Sequence, residues 1–156
     1  MDEIRCLQEA LLLVRRATGW TAEELGERIG VTRQTINNLE SGRNKLTKTQ
    51  YIAIRSVLDA EINKYPDETE MLQVILNSFV DCPEAYSQED KEKILNKANL
   101  LAPAILAGTS TRKDVSKEWL AMIGSLGVVI AAQLFIGSRI TSDWLKKLSS
   151  NRRGGN

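Results

Sequence analysis

Histidine is absent from all 156 residues. That removes imidazole acid–base chemistry, Ser-His and Cys-His nucleophile systems, and most zinc sites. Cysteine is scarce. Cys6 lies in a helical pattern and Cys82 beside Pro83. Two cysteines without a framework spacing point to reduced thiols in a cytosol, not to a disulfide scaffold. No phosphate loop and no glycine-rich dinucleotide fingerprint is present. Two carboxylate clusters, Glu23/Glu24/Glu27 and Glu89/Asp90/Glu92, fall at helix starts, where acids suit the dipole. No catalytic residue, metal ligand or cofactor is therefore expected, and the chain does not read as an enzyme. A net charge of +1 rules out a chain that coats nucleic acid by charge alone. The stretch MDEIRC lacks the basic and apolar regions of a signal peptide.

Hydrophobic residues make up 42% and charged residues 26%, the proportions of a folded protein. The length suits one domain or two small ones. Charge is unevenly spread. Residues 1–64 hold ten Lys/Arg and nine Asp/Glu, residues 65–118 six and ten, and residues 119–156 five and one. An acidic middle thus separates a mixed head from a basic tail.

The informative stretch is Gly19 to Lys45, GWTAEELGERIGVTRQTINNLESGRNK. Thr21 and Glu24 form a capping box, and Trp20 stands where a hydrophobic staple would reach Leu25. Leu25 and Ile29 share a face at i, i+4, and Gly30 fits the left-handed stop that follows. Thr32 caps a second helix whose inner face is Ile36 and Leu39, ended by Ser41-Gly42. Its outer face carries Arg33, Gln34, Asn37 and Asn38, forked and amide side chains suited to paired hydrogen bonds with base edges. A helix docked by its N-terminal residues in the major groove is the geometry of a helix-turn-helix. Gly26 is small where the two helices must cross closely.

These residues resemble the phage repressor and Cro-type helix-turn-helix family, often called XRE-like, over about residues 5 to 62. The resemblance implies base contacts from Thr32, Arg33, Gln34 and Asn38, with Asn37 on the flank. It also implies phosphate contacts from Ser41 and Lys48. Arg43 and Lys45 sit in a loop that would face the duplex backbone. The family usually has Gln at the first position of the scaffold helix, bonding a phosphate. Ala22 stands there, so that contact is missing or replaced.

Around the motif the pattern is all-α. Ile4, Leu7, Leu11 and Val14 mark a helix over residues 2–17, ended by Gly19. Arg15 and Arg16 at its end serve either the dipole or a phosphate. Thr47 caps a helix over 48–63 with Tyr51, Ile54, Val57, Leu58 and Ile62 inward. Tyr65-Pro66-Asp67 marks a boundary, giving a head of residues 1–65 expected to fold as its own domain. An acidic helical hairpin follows over residues 66–110, built from a helix at 67–81 and a second after Ser87. Pro103 should kink or end that second helix.

Residues 111–156 hold an apolar helix and a basic tail. Trp119 to Ser138 is twenty residues without a charge, the length that crosses a bilayer. Two readings stand: a membrane span, or the buried core of an oligomer. The tail opens on a short amphipathic helix, SDWLKKLSS, with Trp144, Leu145 and Leu148 facing one way and Lys146 and Lys147 the other, and the residues after it should be mobile.

The expected function is sequence-specific DNA binding by a transcriptional regulator, most simply a repressor. The expected partners are double-stranded DNA, a second copy of the chain and, through residues 119–138, a membrane. The expected location is the cytoplasm, with that segment as a candidate anchor. The rival reading is an antitoxin-like or scaffold protein whose helical C-terminal half grips a protein partner.

Overall fold

The computed structural model describes residues 2–130 and 143–153. The fold is all-α, with no strand among the described residues. Helix α1 (Glu3–Thr18) starts under Asp2, whose side chain accepts from the Arg5 amide, and stops at Gly19 in the left-handed region (φ 83°). Then come α2 (Ala22–Ile29), α3 (Arg33–Glu40) and α4 (Lys48–Lys64). Beyond them lie α5 (Glu70–Leu76), a π-helical turn (Asn77–Asp81), a 3₁₀ turn (Pro83–Ala85), α6 (Gln88–Leu101), α7 (Pro103–Ala107), α8 (Arg112–Ser125) and α9 (Asp143–Arg153).

Helix α1 is the central element. It packs on α3 and α4 on one side and on α5, the π-turn, α6 and α7 on the other. Its buried residues, among them Leu7, Leu11, Leu13 and Val14, belong to one continuous core with Ile36, Leu58, Leu72, Ile94 and Trp119. That core runs on past Pro66, where the sequence places a domain boundary.

Polar ties fasten the two halves. Arg112 at the start of α8 donates to the Thr18 carbonyl, to Glu61 and to Glu68 at 2.8–2.9 Å. Arg55, fully buried on α4, donates both terminal nitrogens to Asp81 at 2.7 and 3.0 Å. The π-turn that carries Asp81 closes through an i to i−5 bond from the Cys82 amide to the Asn77 carbonyl.

Pro103 ends α6 and opens α7, as its missing N–H requires. The apolar run behaves differently from expectation. A single helix over residues 119–138 does not form, because α8 stops at Ser125. Gly127 takes the left-handed conformation (φ 84°), and the Val128 amide turns back to the Ile123 carbonyl. This is a glycine-terminated helix end, and only the missing Cβ makes it inexpensive.

The described part of the run is also one-sided. Trp119 and Ile123 are fully buried, while Ala121, Gly124 and Val129 face outward. Its covering comes from α5, α6 and α7. No helix among the described residues is long and apolar enough to cross a membrane. The membrane span expected from 119–138 is thus corrected at its first half, and residues 131–138 lie outside the described residues.

Candidate nucleic-acid interface

The turn between α2 and α3 is built by local chemistry. Thr21 Oγ1 accepts from the Glu24 amide at 3.1 Å, and Glu24 Oε1 accepts from the Thr21 amide at 3.2 Å. These reciprocal bonds satisfy two of the donors a helix start leaves open. Trp20 is buried beneath, and the Arg28 guanidinium lies 4.1 Å over its ring. Gly30 closes α2 in the left-handed region (φ 79°). At Gly26 a Cβ would stand 2.6 Å from the Val31 carbonyl oxygen. A side chain there would push the α2–α3 turn apart.

Helix α3 begins under Thr32, whose hydroxyl accepts from the Thr35 amide at 3.1 Å. Ile36 and Leu39 bury its inner face. Its orientation is fixed by a paired contact to α1. Arg15 donates to both carboxylate oxygens of Glu40 at 2.6 and 3.0 Å, and to the Trp20 carbonyl at 3.0 Å. With side chains only 10% and 8% exposed, this pair is largely withdrawn from water. Such geometry fixes direction more firmly than a surface pair can. Arg15 is therefore committed inside the protein, which overturns the phosphate-contact alternative for it. Arg16 is half-buried.

Thr32, Arg33 and Gln34 are exposed at the opening of α3, while Asn37 and Asn38 are half-buried one turn on. Gln34 Nε2 donates to Asn38 Oδ1 at 3.1 Å. This joins the two amides into one unit that keeps the Gln34 oxygen and the Asn38 amino group free as acceptor and donor. Arg33 has no partner within the chain among the described residues. That leaves its guanidinium available to an outside acceptor.

Ser41 ends α3 and gives its hydroxyl to the Asn38 carbonyl at 3.2 Å. Arg43 and Lys45 are exposed in the following loop, and Lys48 is exposed at the first position of α4. Thr47 and Gln50 close a second capping box there. Thus the residues expected to meet bases lie on one helix, and those expected to meet phosphate lie on the loop and helix start that follow it. Ala22 opens α2 without a polar side chain.

One contributor is invisible to a motif reading. Gln8 of α1 donates Nε2 to the Leu39 carbonyl at 3.0 Å and to the Asn44 carbonyl at 2.7 Å. Its Oε1 accepts from the Leu46 amide at 3.0 Å. The only hint in the sequence is a polar residue beside Leu7 and Leu11 on the apolar stripe of α1.

Comparison with known proteins settles the family. A helix-turn-helix family model matches residues 11–64. Antitoxin HipB of Escherichia coli (strain K12) is 34% identical over 70 residues, covering 41% of this chain and 80% of that protein. The chain belongs to the Cro/repressor-type helix-turn-helix family. Antitoxin HipB of Escherichia coli O6:H1 is 30% identical over 86 residues, covering 55% of this chain and 80% of that protein. No solved structure matches the chain. Among the described residues, no group of three or more Cys, Asp or Glu side chains is arranged to hold a metal ion.

Proposed function

We propose that the chain is a sequence-specific DNA-binding transcriptional regulator, acting as a repressor. The observation that carries the proposal is the outer face of α3. It offers Thr32, Arg33, Gln34, Asn37 and Asn38 beside a cationic loop and helix start bearing Arg43, Lys45 and Lys48. Amide and guanidinium groups on one short, rigidly held helix match the donor and acceptor pattern of base edges. The adjacent cations and Ser41 supply the phosphate contacts that fix register.

Two copies would place their α3 helices in successive major grooves, about 34 Å apart, on a near-palindromic site. A homodimer is therefore part of the proposal, and residues beyond 66 would supply pairing or sensing.

The experiment compares two substitutions. Arg33→Ala should cost roughly 1–3 kcal/mol on the cognate duplex and relax preference at one base. Lys48→Ala should weaken all sequences alike and lower the salt dependence by about one unit. If both variants act identically on cognate and random duplexes, α3 is not the reading element.

A second reading is favoured by the names of the relatives, both antitoxins. In it the head is an antitoxin-like or scaffold module, and the helical C-terminal half grips a protein partner. Tight capture of a co-encoded protein by a chain that binds no duplex would favour this reading over the first.

A further inference from the structure

We propose that Gln8 is the positioning residue that locks the loop 41–46, and with it Arg43 and Lys45, in register with α3. The proposal rests on the DNA-interface reading and assigns that interface a residue outside the motif.

The geometry is specific. The last-turn carbonyl of α3, at Leu39, and two main-chain groups of the loop, the Asn44 carbonyl and the Leu46 amide, converge on this one side chain. An amide can donate twice and accept twice. Gln8 uses both donors and one acceptor, spanning 31 to 38 residues of sequence. Only a carboxamide, as in Gln or Asn, offers two donors and an acceptor at the same end.

The loop itself is short of restraint. Gly42 sits in the left-handed region (φ 78°), and Ser41 to Lys45 are all exposed. Its main-chain ties to α3 are the Ser41 amide to the Asn37 carbonyl at 3.0 Å, the Gly42 amide to the Leu39 carbonyl at 3.2 Å and the Asn44 amide to the Asn38 carbonyl at 3.3 Å. Gln8 adds two struts, to Asn44 and Leu46, from an element that the Arg15–Glu40 pair also fixes to α3. The base-reading helix and the phosphate-facing loop are thus referenced to the same rigid helix. Preformed contacts avoid an ordering cost when the duplex binds.

The substitution Gln8→Glu keeps an acceptor for Leu46 but removes both donors and sets a carboxylate against two carbonyls. Gln8→Ala removes the clamp without adding charge. The full chain and both variants would be titrated with a random-sequence duplex and with a duplex selected by the full chain, across a salt series.

In both variants the slope of log K against log salt should fall by about one for each cation, Arg43 or Lys45, that loses its phosphate. The ratio of selected to random affinity should be retained, because α3 stays anchored through Arg15 and Glu40. Gln8→Glu should add nothing in an Arg43→Ala/Lys45→Ala background.

A residue that merely stabilises the fold would lower Tm and the active fraction, leaving the slope of the folded fraction unchanged; that result would overturn the inference. If Gln8→Glu fails to fold, Gln8→Ala decides by the same slope. A wild-type slope in Arg43→Ala/Lys45→Ala would instead overturn the interface reading. A reduced slope there, with a wild-type slope in both Gln8 variants, sinks the inference alone.

Discussion

The indole N–H of Trp144 donates to Oδ2 of Asp59 at 2.5 Å, across 85 residues of sequence. The same ring meets Tyr51 edge-on, with centroids 5.8 Å apart, and the Arg55 guanidinium lies 5.4 Å over it. Tyr51, Arg55 and Asp59 stand at i, i+4 and i+8, one stripe along α4. Helix α9 is fastened to the helix-turn-helix domain through this stripe, and Lys147 reaches Glu3 at 3.8 Å and the Asp81 carbonyl at 3.1 Å.

That contact makes stability depend on pH. Burial pushes the Asp59 carboxyl up from 3.8 to about 6, against the opposing pull of Trp144 and Arg55. Its Oδ1 is buried with no hydrogen-bond partner among the described residues. A raised folded-state value means the fold binds this proton more tightly than the unfolded chain does. The contribution is fully present below about 4 and is lost as pH rises through about 6. Asp59→Asn, neutral throughout, should gain on the wild type by on the order of 2 kcal/mol between about pH 4 and pH 8. Urea unfolding at the two pH values measures that gain; a constant difference would show that Asp59 is ionised at both.

The two glycines of the motif should respond differently. Gly26→Ala drives a Cβ against the Val31 carbonyl, a backbone atom that cannot swing away. It should cost about 1–3 kcal/mol and weaken duplex binding, since α3 must shift. At Gly30 nothing lies within 4 Å, so Gly30→Ala meets only the left-handed backbone penalty of about 1–2 kcal/mol. Its duplex affinity, measured on folded protein, should stay at the wild-type level. Equal loss of affinity in both variants would mean that the α2–α3 crossing is not what sets α3.

Truncation tests how far the domain depends on its neighbours. A 1–65 fragment keeps the motif but loses Asp81 for Arg55, Trp144 for Asp59 and Arg112 for Glu61. It also uncovers the face of α1 that packs on α5, α6 and α7. Its Tm should be markedly below that of the full chain, with helical circular dichroism persisting at low temperature. An unchanged Tm would show that the head needs none of these contacts.

These contrasts explain what could be read from the sequence. Caps at Thr21, Thr32 and Thr47, and stops at Gly19 and Gly30, depend on residues three or four apart, so α1 to α4 were legible. Pro103 was legible for the same reason. Gly127 was not, because a glycine in an apolar run signals a stop only once its neighbours turn inward on one side. The burial of Arg55 and Asp59 was hidden behind the apolar residues of α4. Their partners, Asp81 and Trp144, come from elements that no local spacing connects to that helix. Gln8 was missed because its meaning lies in three main-chain groups more than thirty residues away.

Selection of duplexes from a random pool by the whole 156-residue chain separates base reading from charge attraction. The account predicts enrichment of a near-palindrome whose half-sites lie about 10 base pairs apart, or a multiple of that. It further predicts that Arg33→Ala degrades the enriched consensus at one position in each half. A pool that stays random through repeated rounds, with binding that depends on salt alone, would contradict it.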